Sequence, residues 1–339
     1  MEAVPRTAVT LDEVAKAAGV SRATASRVFT GNPKVSDTAR NAVEQAASTL
    51  GYVPNRAARS LAAGRSESVG VVIPDPNVFH DPSIARLIRG IGAELADHGL
   101  QMVLFAPQSE TDLERLEQYL AGGHVDAVLV IRLELEALPA RLQSRGIPVV
   151  LGGRPKNGLQ VSFVDVDNHA GGKTATEHLI EQGRRHIAHL ASPGHATRFQ
   201  GYREAMWSAA LRSDLVEVAE PDRDGGEMAM ARLLSQHEDI DAVFAASDAM
   251  AIGAMWVLQA LGRRVPDDVA IIGFDDSPLA AATQPPLSSV RQPMEEMGRE
   301  MTRLVVSMNA LNTHGPLQKI LDPTLAVRES TAKPVPSLL

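Results

Sequence analysis

Along the first fifty residues the apolar positions fall three and four apart, the period of helices that each bury one stripe. Leu11, Val14, Ala15 and Ala18 form one stripe, Ala25 and Val28 a second, and Ala39, Val43, Ala46, Ala47 and Leu50 a third. The spacing predicts a helix over about 11–18, another opening at Arg22, and a third from Ser36 to about Leu50, closing a small three-helix core. The start signals agree. Thr10 with Glu13 three residues later fits a capping box, and Ser21 and Ser36 stand where the next two helices need an acceptor for their first free N–H groups. Gly19 gives the backbone freedom of a tight turn, and Val20 plugs the angle between the first two helices. Such a helix-turn-helix presents the first turn of its second helix to base edges in a major groove. Arg22, Ala23 and Thr24 occupy that turn, where arginine can fork to guanine. Ser26 and Arg27 stay on the outer face for phosphate or base.

After a polar break at Gly64–Ser68 the period changes. Val69–Pro74 is a continuous apolar run of strand length, followed by a helical stretch over about 83–98 with Ile84, Leu87, Ile88, Ile91 and Leu95 inward. QMVLFA, a helix to Leu120, VDAVLVI, a helix over 138–144 and PVVL come next. A second set starts after Phe163–Asn168: helices over about 170–182, 201–211, 227–237 and 248–261 are interleaved with IAHL, AVFAA and VAIIGF. Strands apolar throughout that alternate with helices predict parallel sheets covered on both faces. The number of units exceeds one sheet, so two similar lobes are expected, with a ligand crevice at the carboxyl ends of their strands. Gln292–Leu311 is a further helix expected to return to the first lobe.

Charge separates the two parts. The 339 residues carry a net charge of −8, yet residues 1–65 alone hold a balance of +4, which leaves −12 for the rest. A basic head on an acidic body means that one end alone seeks nucleic acid. Cysteine is absent, which excludes disulfides, thiolate nucleophiles and cysteine-metal sites. The opening residues lack the apolar core of a secretion signal and no apolar run approaches ~18 residues, so a cytoplasmic protein without membrane spans is expected.

Thr10–Val28, Val35–Ser36 and Leu50–Ala62 together resemble the bacterial repressors of the LacI/GalR family, and the resemblance extends over nearly the whole chain. Within that family, GGRP, VDVDN and RFQGYREAM look most like actinobacterial members that answer to cellobiose or related glucosides. The resemblance implies an all-α helix-turn-helix head (residues 1–54), a hinge helix and linker (55–66), an effector-binding and dimerisation region (67–331) and a tail (332–339). The effector region would be the α/β two-lobed fold shared with periplasmic binding proteins, its two parallel sheets doubly wound. The first lobe would take about 67–166 and 293–321, the second about 167–292 and 322–331, with three crossovers. The resemblance also implies that Leu61 wedges into the minor groove at the centre of a palindromic operator, where an apolar wedge unstacks a base step and bends the duplex. Arg56 and Arg59 add phosphate charge beside it. The candidate DNA-contacting set is Thr10, Ser21, Arg22, Ala23, Thr24, Ser26, Arg27, Ser36, Tyr52, Asn55, Arg56, Arg59, Leu61 and Ala62.

The polar residues at the strand ends are the candidate effector contacts: Asn77, Phe79, Arg154, Asp167, Arg198, Arg223, Ser247, Asp248 and Asp275, with Asp165 and Asp276 beside them. Carboxylates and arginines that fork to vicinal hydroxyls, with an aromatic for the apolar ring face, suit a sugar. By resemblance, Arg198 grips the effector and Asp275 is its acidic contact. Asp248 is expected to cap the helix that starts there, and Asp167 or Asn168 to do likewise. Three departures from the family pattern retune the pocket: Arg223 stands where an aromatic is frequent, Ser247 where lactose-type members have asparagine, and the loop between LASPGH and Arg198 is shorter than in many relatives.

Other chemistry is set aside. Gly171–Thr174 imitates the end of a phosphate loop, but the leading glycine would fall on Asp167. Gly90 and Gly92 begin a dinucleotide fingerprint that Leu95 breaks. His178, His186 and His189 fall on different predicted elements, which argues against a metal. Asp275 and Asp276 are adjacent and point apart, and no nucleophile motif accompanies them. No cofactor, metal or catalysis is expected. The expected function is a homodimeric repressor of carbohydrate utilisation that binds double-stranded operator DNA and a mono- or disaccharide. A nucleoside or sugar phosphate is the alternative effector, and a transport-type sugar receptor the rival class. The proline-containing tail lacks leucine heptads, which argues against a tail-built tetramer.

Overall fold

The computed structural model describes residues 9–53, 65–73, 82–131, 137–155, 158–311 and 315–331. The chain divides into two compact units, residues 1–67 with 123–126, and residues 68–122 with 127–339.

The first unit holds α1 (Leu11–Ala17), α2 (Arg22–Phe29) and α3 (Asp37–Leu50). The capping box at Thr10 is complete: the Glu13 amide donates to Thr10 Oγ1 at 3.3 Å and the Thr10 amide to Glu13 Oε2 at 2.7 Å. That second bond holds the Glu13 carboxyl below its ordinary range. Ser21 Oγ accepts from the Thr24 amide at 3.1 Å, and Ser36 Oγ from the Ala39 amide at 3.3 Å. Gly19 turns the chain at φ +65°, as the turn between α1 and α2 requires. Val14, Ala15, Ala25, Val28, Val43 and Ala47 are the buried core, with Leu11, Val20, Phe29 and Tyr52 packed partly against it. Leu50, expected inside, is 39% exposed; α3 ends at that residue, with the left-handed Gly51 as its cap, and the last turn runs past the core. Beyond the hinge segment, Ser66 and Glu67 are held by Asp126, which accepts from both their amides at 2.7 and 2.9 Å.

The second unit contains two six-stranded sheets. The first lobe is built from β1 (Ser68–Val72), α4 (Pro82–Asp97), β2 (Gln101–Phe105), α5 (Glu110–Ala121), β3 (Ala127–Ile131), α6 (Ala137–Ser144), β4 (Val149–Gly152) and β5 (Ser162–Val166). The second follows with α7 (Asn168–Glu181), β6 (Ile187–Ala191), α8 (Ala196–Ser208), β7 (Val216–Val218), α9 (Arg223–Gln236), β8 (Ala242–Ala245), α10 (Asp248–Ala260), β9 (Ala270–Asp275) and β10 (Ser288–Arg291). The chain returns through α11 (Met294–Leu311) and β11 (Gln318–Leu321), and crosses again to β12 (Thr324–Ala326). The sheet orders are β11-β5-β4-β3-β1-β2 and β12-β10-β9-β8-β6-β7. The first is parallel throughout. The second departs from the all-parallel expectation, because β12 pairs with β10 antiparallel. Three crossings therefore join the lobes, after β5, after β10 and after β11.

Each sheet sits between helices and is apolar for that reason. Val69, Val71, Leu129, Ile131 and Val150 pack on Leu87, Ile91 and Leu95 of α4 and on Met297, Met301 and Val305 of α11. QMVLFA is the exception: β2 is an edge strand with Met102 and Leu104 37% and 44% exposed. Among the described residues, three helix pairs cross backbone to backbone. A Cβ on Gly90 of α4 would lie 2.0 Å from the Glu295 carbonyl oxygen, and one on Gly298 of α11 2.3 Å from that of Leu87. Gly172 and Gly201 make the same reciprocal contact between α7 and α8, and Gly226 and Gly253 between α9 and α10. Side chains at those points would force the helices apart. Gly171–Thr174 is thus helix α7, as expected, and Gly172 is small so that α8 can approach. Helices α8 and α9 begin earlier than their apolar spacing suggests, at Ala196 and Arg223. Asp222 caps α9 through the Gly225 amide at 2.7 Å, and Gly225–Gly226, which precede the helix expected from about 227, lie inside it.

Candidate nucleic-acid interface and effector crevice

The outer face of α2 carries the recognition candidates. Arg22, Ala23, Ser26 and Arg27 are exposed and Thr24 is half-buried. Arg22 Nε lies 3.2 Å from Asp12 Oδ1 with both side chains exposed, a pairing weak enough to exchange for a phosphate or base. The Ser21 and Ser36 hydroxyls serve as helix caps, and Thr10 does so through its box. Tyr52 packs its ring 5.4 Å from Phe29. Asn55, Arg56, Arg59, Leu61 and Ala62 lie outside the described residues, as do Asn77 and Phe79.

In the second lobe the strand ends converge on Arg198. It sits in the first turn of α8 with its side chain 4% exposed. Its Nε donates to Asn168 Oδ1 at 2.8 Å and its Nη1 to the Ala246 carbonyl at 2.5 Å. The guanidinium lies 3.6 Å above the Phe274 ring and 3.6 Å from Asp275 Oδ1. A buried arginine so held is fixed in direction, which is what orienting a polar ligand requires. Asp275, at the end of β9, also accepts from Gln292 Nε2 at 2.5 Å. The next carboxylate, Asp276, is clamped by Arg291 Nε at 2.6 Å and Arg328 Nη2 at 2.5 Å. Burial works against its charge, and the two arginines still hold its pKa below the ordinary range.

Asp248 does not cap α10. Ser247 does, accepting from the Met250 amide at 3.2 Å, because the residue one position earlier has the extended backbone a cap needs. Asp248 instead accepts from Ser289 Oγ and from the Ser277 amide, each at 2.6 Å. Burial, with the charge of Asp275 adding to it, raises its pKa to about 7. Asp167 does cap α7, through the Ala170 amide at 2.9 Å, whereas Asn168 turns to Arg198 and to the Val166 carbonyl. Arg154 is exposed. Arg223 lies over the Trp256 ring at 4.6 Å and pairs with Asp224 and Glu227 at 3.1 and 3.3 Å. In the first lobe Asp165, at the end of β5, is pushed above the carboxylate range by burial, against its bonds from the Val166 and Arg154 amides.

Of the histidines, His189 is wholly buried, stacked on Phe199, Tyr202 and Phe244, and burial lowers its pKa to about 4. Among the described residues no group of His, Cys, Asp or Glu could hold a metal, and no helix is long and apolar enough to cross a membrane. The sequence reading missed Arg86, Asn168 as an arginine partner, Gln292, Arg291 and Arg328. Gln292 sits at the crossover before α11, where a polar residue among strand and helix ends was a usable signal. Nothing local marks Arg86.

A helix-turn-helix unit with its recognition face exposed, together with a two-lobed unit whose strand ends gather polar groups, defines a ligand-sensing DNA-binding regulator. Residues 10–55 match the family model "Bacterial regulatory proteins, lacI family", and residues 176–331 the model "Periplasmic binding protein-like domain". The chain belongs to the LacI family of transcriptional regulators. It is 47% identical to the HTH-type transcriptional regulator CelR of Thermobifida fusca, over 95% of this chain and 98% of the relative. It is 35% identical to the ribose operon repressor of Halalkalibacterium halodurans, over 95% and 97%. A solved CelR–cellobiose complex superposes with a TM-score of 0.74 at 45% identity, covering 95% of this chain and 99% of that one. The relatives are regulators rather than enzymes.

Proposed function

We propose that the protein is a cytoplasmic homodimeric repressor of carbohydrate utilisation that grips a palindromic operator and is released by a small sugar of the cellobiose class. The observation that carries the sugar reading is the Arg198–Asp275 pair: a directed donor and a carboxylate 3.6 Å apart can bracket vicinal hydroxyls, and the similar CelR is solved with cellobiose. A phosphorylated effector would call for several free arginines, but Arg223 is engaged by Asp224 and Glu227.

On the DNA side, Arg22, Ala23 and Arg27 are the specificity positions and Leu61 is the central wedge. Release is a population shift: sugar binds the lobe arrangement in which the operator grip is lost more tightly than the one in which it holds. The exposed edge formed by Met102, Leu104 and Tyr119, beside a groove of about 540 Å³ lined by Phe105, Pro107 and Arg115, supports a second copy covering this face, since monomers seldom leave such an edge bare.

The test has two arms. In a thermal-shift screen of mono- and disaccharides, sugar phosphates and nucleosides, cellobiose or a close glucoside should stabilise the protein by about 2.7 kcal/mol at ~100 times its Kd. The same sugar should release the protein from its own promoter duplex in a gel shift. Failure to distinguish that duplex from random DNA, with or without sugar, refutes the proposal.

A further inference from the structure

Two lobes that respond to a ligand need contacts whose formation depends on how the lobes meet. One such contact belongs to neither sheet. Arg86, on α4 of the first lobe, donates from Nη2 to the Asp275 carbonyl at 2.7 Å and from Nη1 to the Asp276 carbonyl at 3.2 Å, both in the second lobe. These carbonyls belong to Asp275, the candidate effector carboxylate, and to its neighbour. The corner they form is strained, with φ +105° at Asp275 and +46° at Asp276, values that non-glycine residues keep only when their neighbours over-determine them. The second lobe supplies part of that constraint: Ser289 Oγ accepts from the Asp276 amide, and Arg291 and Arg328 hold its carboxylate. Arg86 adds a grip from across the crevice, with two charge-assisted bonds in the fixed geometry of a guanidinium. A further donor, its Nε–H, is buried with no partner. An unmet buried donor favours any acceptor that reaches it, and a sugar oxygen is one.

We infer that Arg86 is a positioning residue: a tie between the lobes that fixes the Asp275–Asp276 corner, so that the Asp275 carboxylate is correctly aimed and lobe geometry is coupled to effector affinity. The effector half of this inference rests on the sugar reading above; the tie itself does not.

The test uses the full chain with Arg86→Met, which keeps the aliphatic stem and loses every donor, and Arg86→Lys, whose single ammonium can reach one carbonyl. Amide hydrogen exchange is read without ligand at Asp276 and Ser277, whose N–H groups donate to Ser289 Oγ and Asp248 Oδ2. Cellobiose affinity is read by calorimetry, and operator affinity without sugar by gel shift. In Arg86→Met, exchange at both amides should quicken about tenfold or more and cellobiose should bind about tenfold more weakly. Exchange in the sheet cores should not change, sugar-free operator affinity should shift with the lobe equilibrium that the tie biases, and Arg86→Lys should recover part of both losses. Unchanged exchange at Asp276 and Ser277 overturns the tie, whether or not any sugar binds. Faster exchange with unchanged cellobiose affinity overturns the positioning role. A wild-type protein that binds no cellobiose, with exchange responding as expected, supports the tie and counts against the sugar reading.

Discussion

In the three-helix unit Gly19 turns the chain at φ +65° with nothing within 4 Å of where a Cβ would sit, whereas in the two-lobed unit Gly226 lies inside a helix with the Met250 carbonyl oxygen 2.2 Å from that point. The first glycine answers to the backbone of its own turn. The second answers to a residue of another helix. The same contrast runs through both units. The head is specified by neighbours: caps at Thr10, Ser21 and Ser36 act over three residues, and its buried core is valine and alanine. The sensor is specified by residues far apart in the chain, such as Arg198 with Asp275 and Asp248 with Ser289. Damage to the head should therefore be local and modest, and damage to the sensor large and distributed.

The largest effect is expected at Arg198. Arg198→Ala leaves the Ala246 carbonyl, Asn168 and Asp275 without their buried donor, a loss of about 3–5 kcal/mol for a buried charge partner. Calorimetry should show the sensor transition lowered and sugar binding gone, while operator affinity without sugar is retained. A normal sugar response would break the contrast at its strongest point.

Asp248 comes next. Its folded pKa of about 7 lies above the usual carboxylate value, so the folded state holds a proton that the unfolded chain releases. The stability linked to that proton is present below about pH 4, fades as pH rises, and is gone above about pH 7. Buried His189, with its pKa of about 4, works in the opposite direction over the lower part of this range, so the Asp248 contribution is read as a difference: between pH 4 and 8 the melting temperature of the wild type should fall relative to that of Asp248→Asn as pH rises.

Gly226→Ala should cost about 1–3 kcal/mol through overpacking against α10, where alanine in a helix is otherwise favourable. A neutral result in chemical denaturation would mean that the helices part without cost. Smallest is Thr10→Ala in the head, about 1 kcal/mol for a lost cap, seen as a shift of the head's own melting step with the sensor transition unmoved.

What could be read from the sequence follows the same division. The capping box, the α1–α2 turn and the α2 stripe were all legible, since each signal lies within four residues; Leu50 failed because its burial depends on where α3 ends relative to the core. Alternating apolar runs also made the βα units readable. The starts of α8 and α9 were not, because their first turns, Ala196–Gln200 and Arg223–Gly226, hold few large apolar side chains to mark a helical stripe. Arg198 and Asp275 were found by resemblance, and the structure brings them together. Asp248 was misread as a cap because its partners, Ser277 and Ser289, are 29 and 41 residues away. Arg86 reaches carbonyls 189 and 190 residues away, and no local pattern encodes that.

The three crossings have a consequence for how the sensor can be divided. Neither lobe is a contiguous stretch of chain, so neither can be expressed as a simple gene fragment. A chain stopped before Gln318 forfeits an outer strand of the first sheet and the antiparallel partner of β10 in the second at once. A single nick in one connecting segment, by contrast, leaves two others holding the halves together, so proteolysis there should yield fragments that still co-migrate under native conditions.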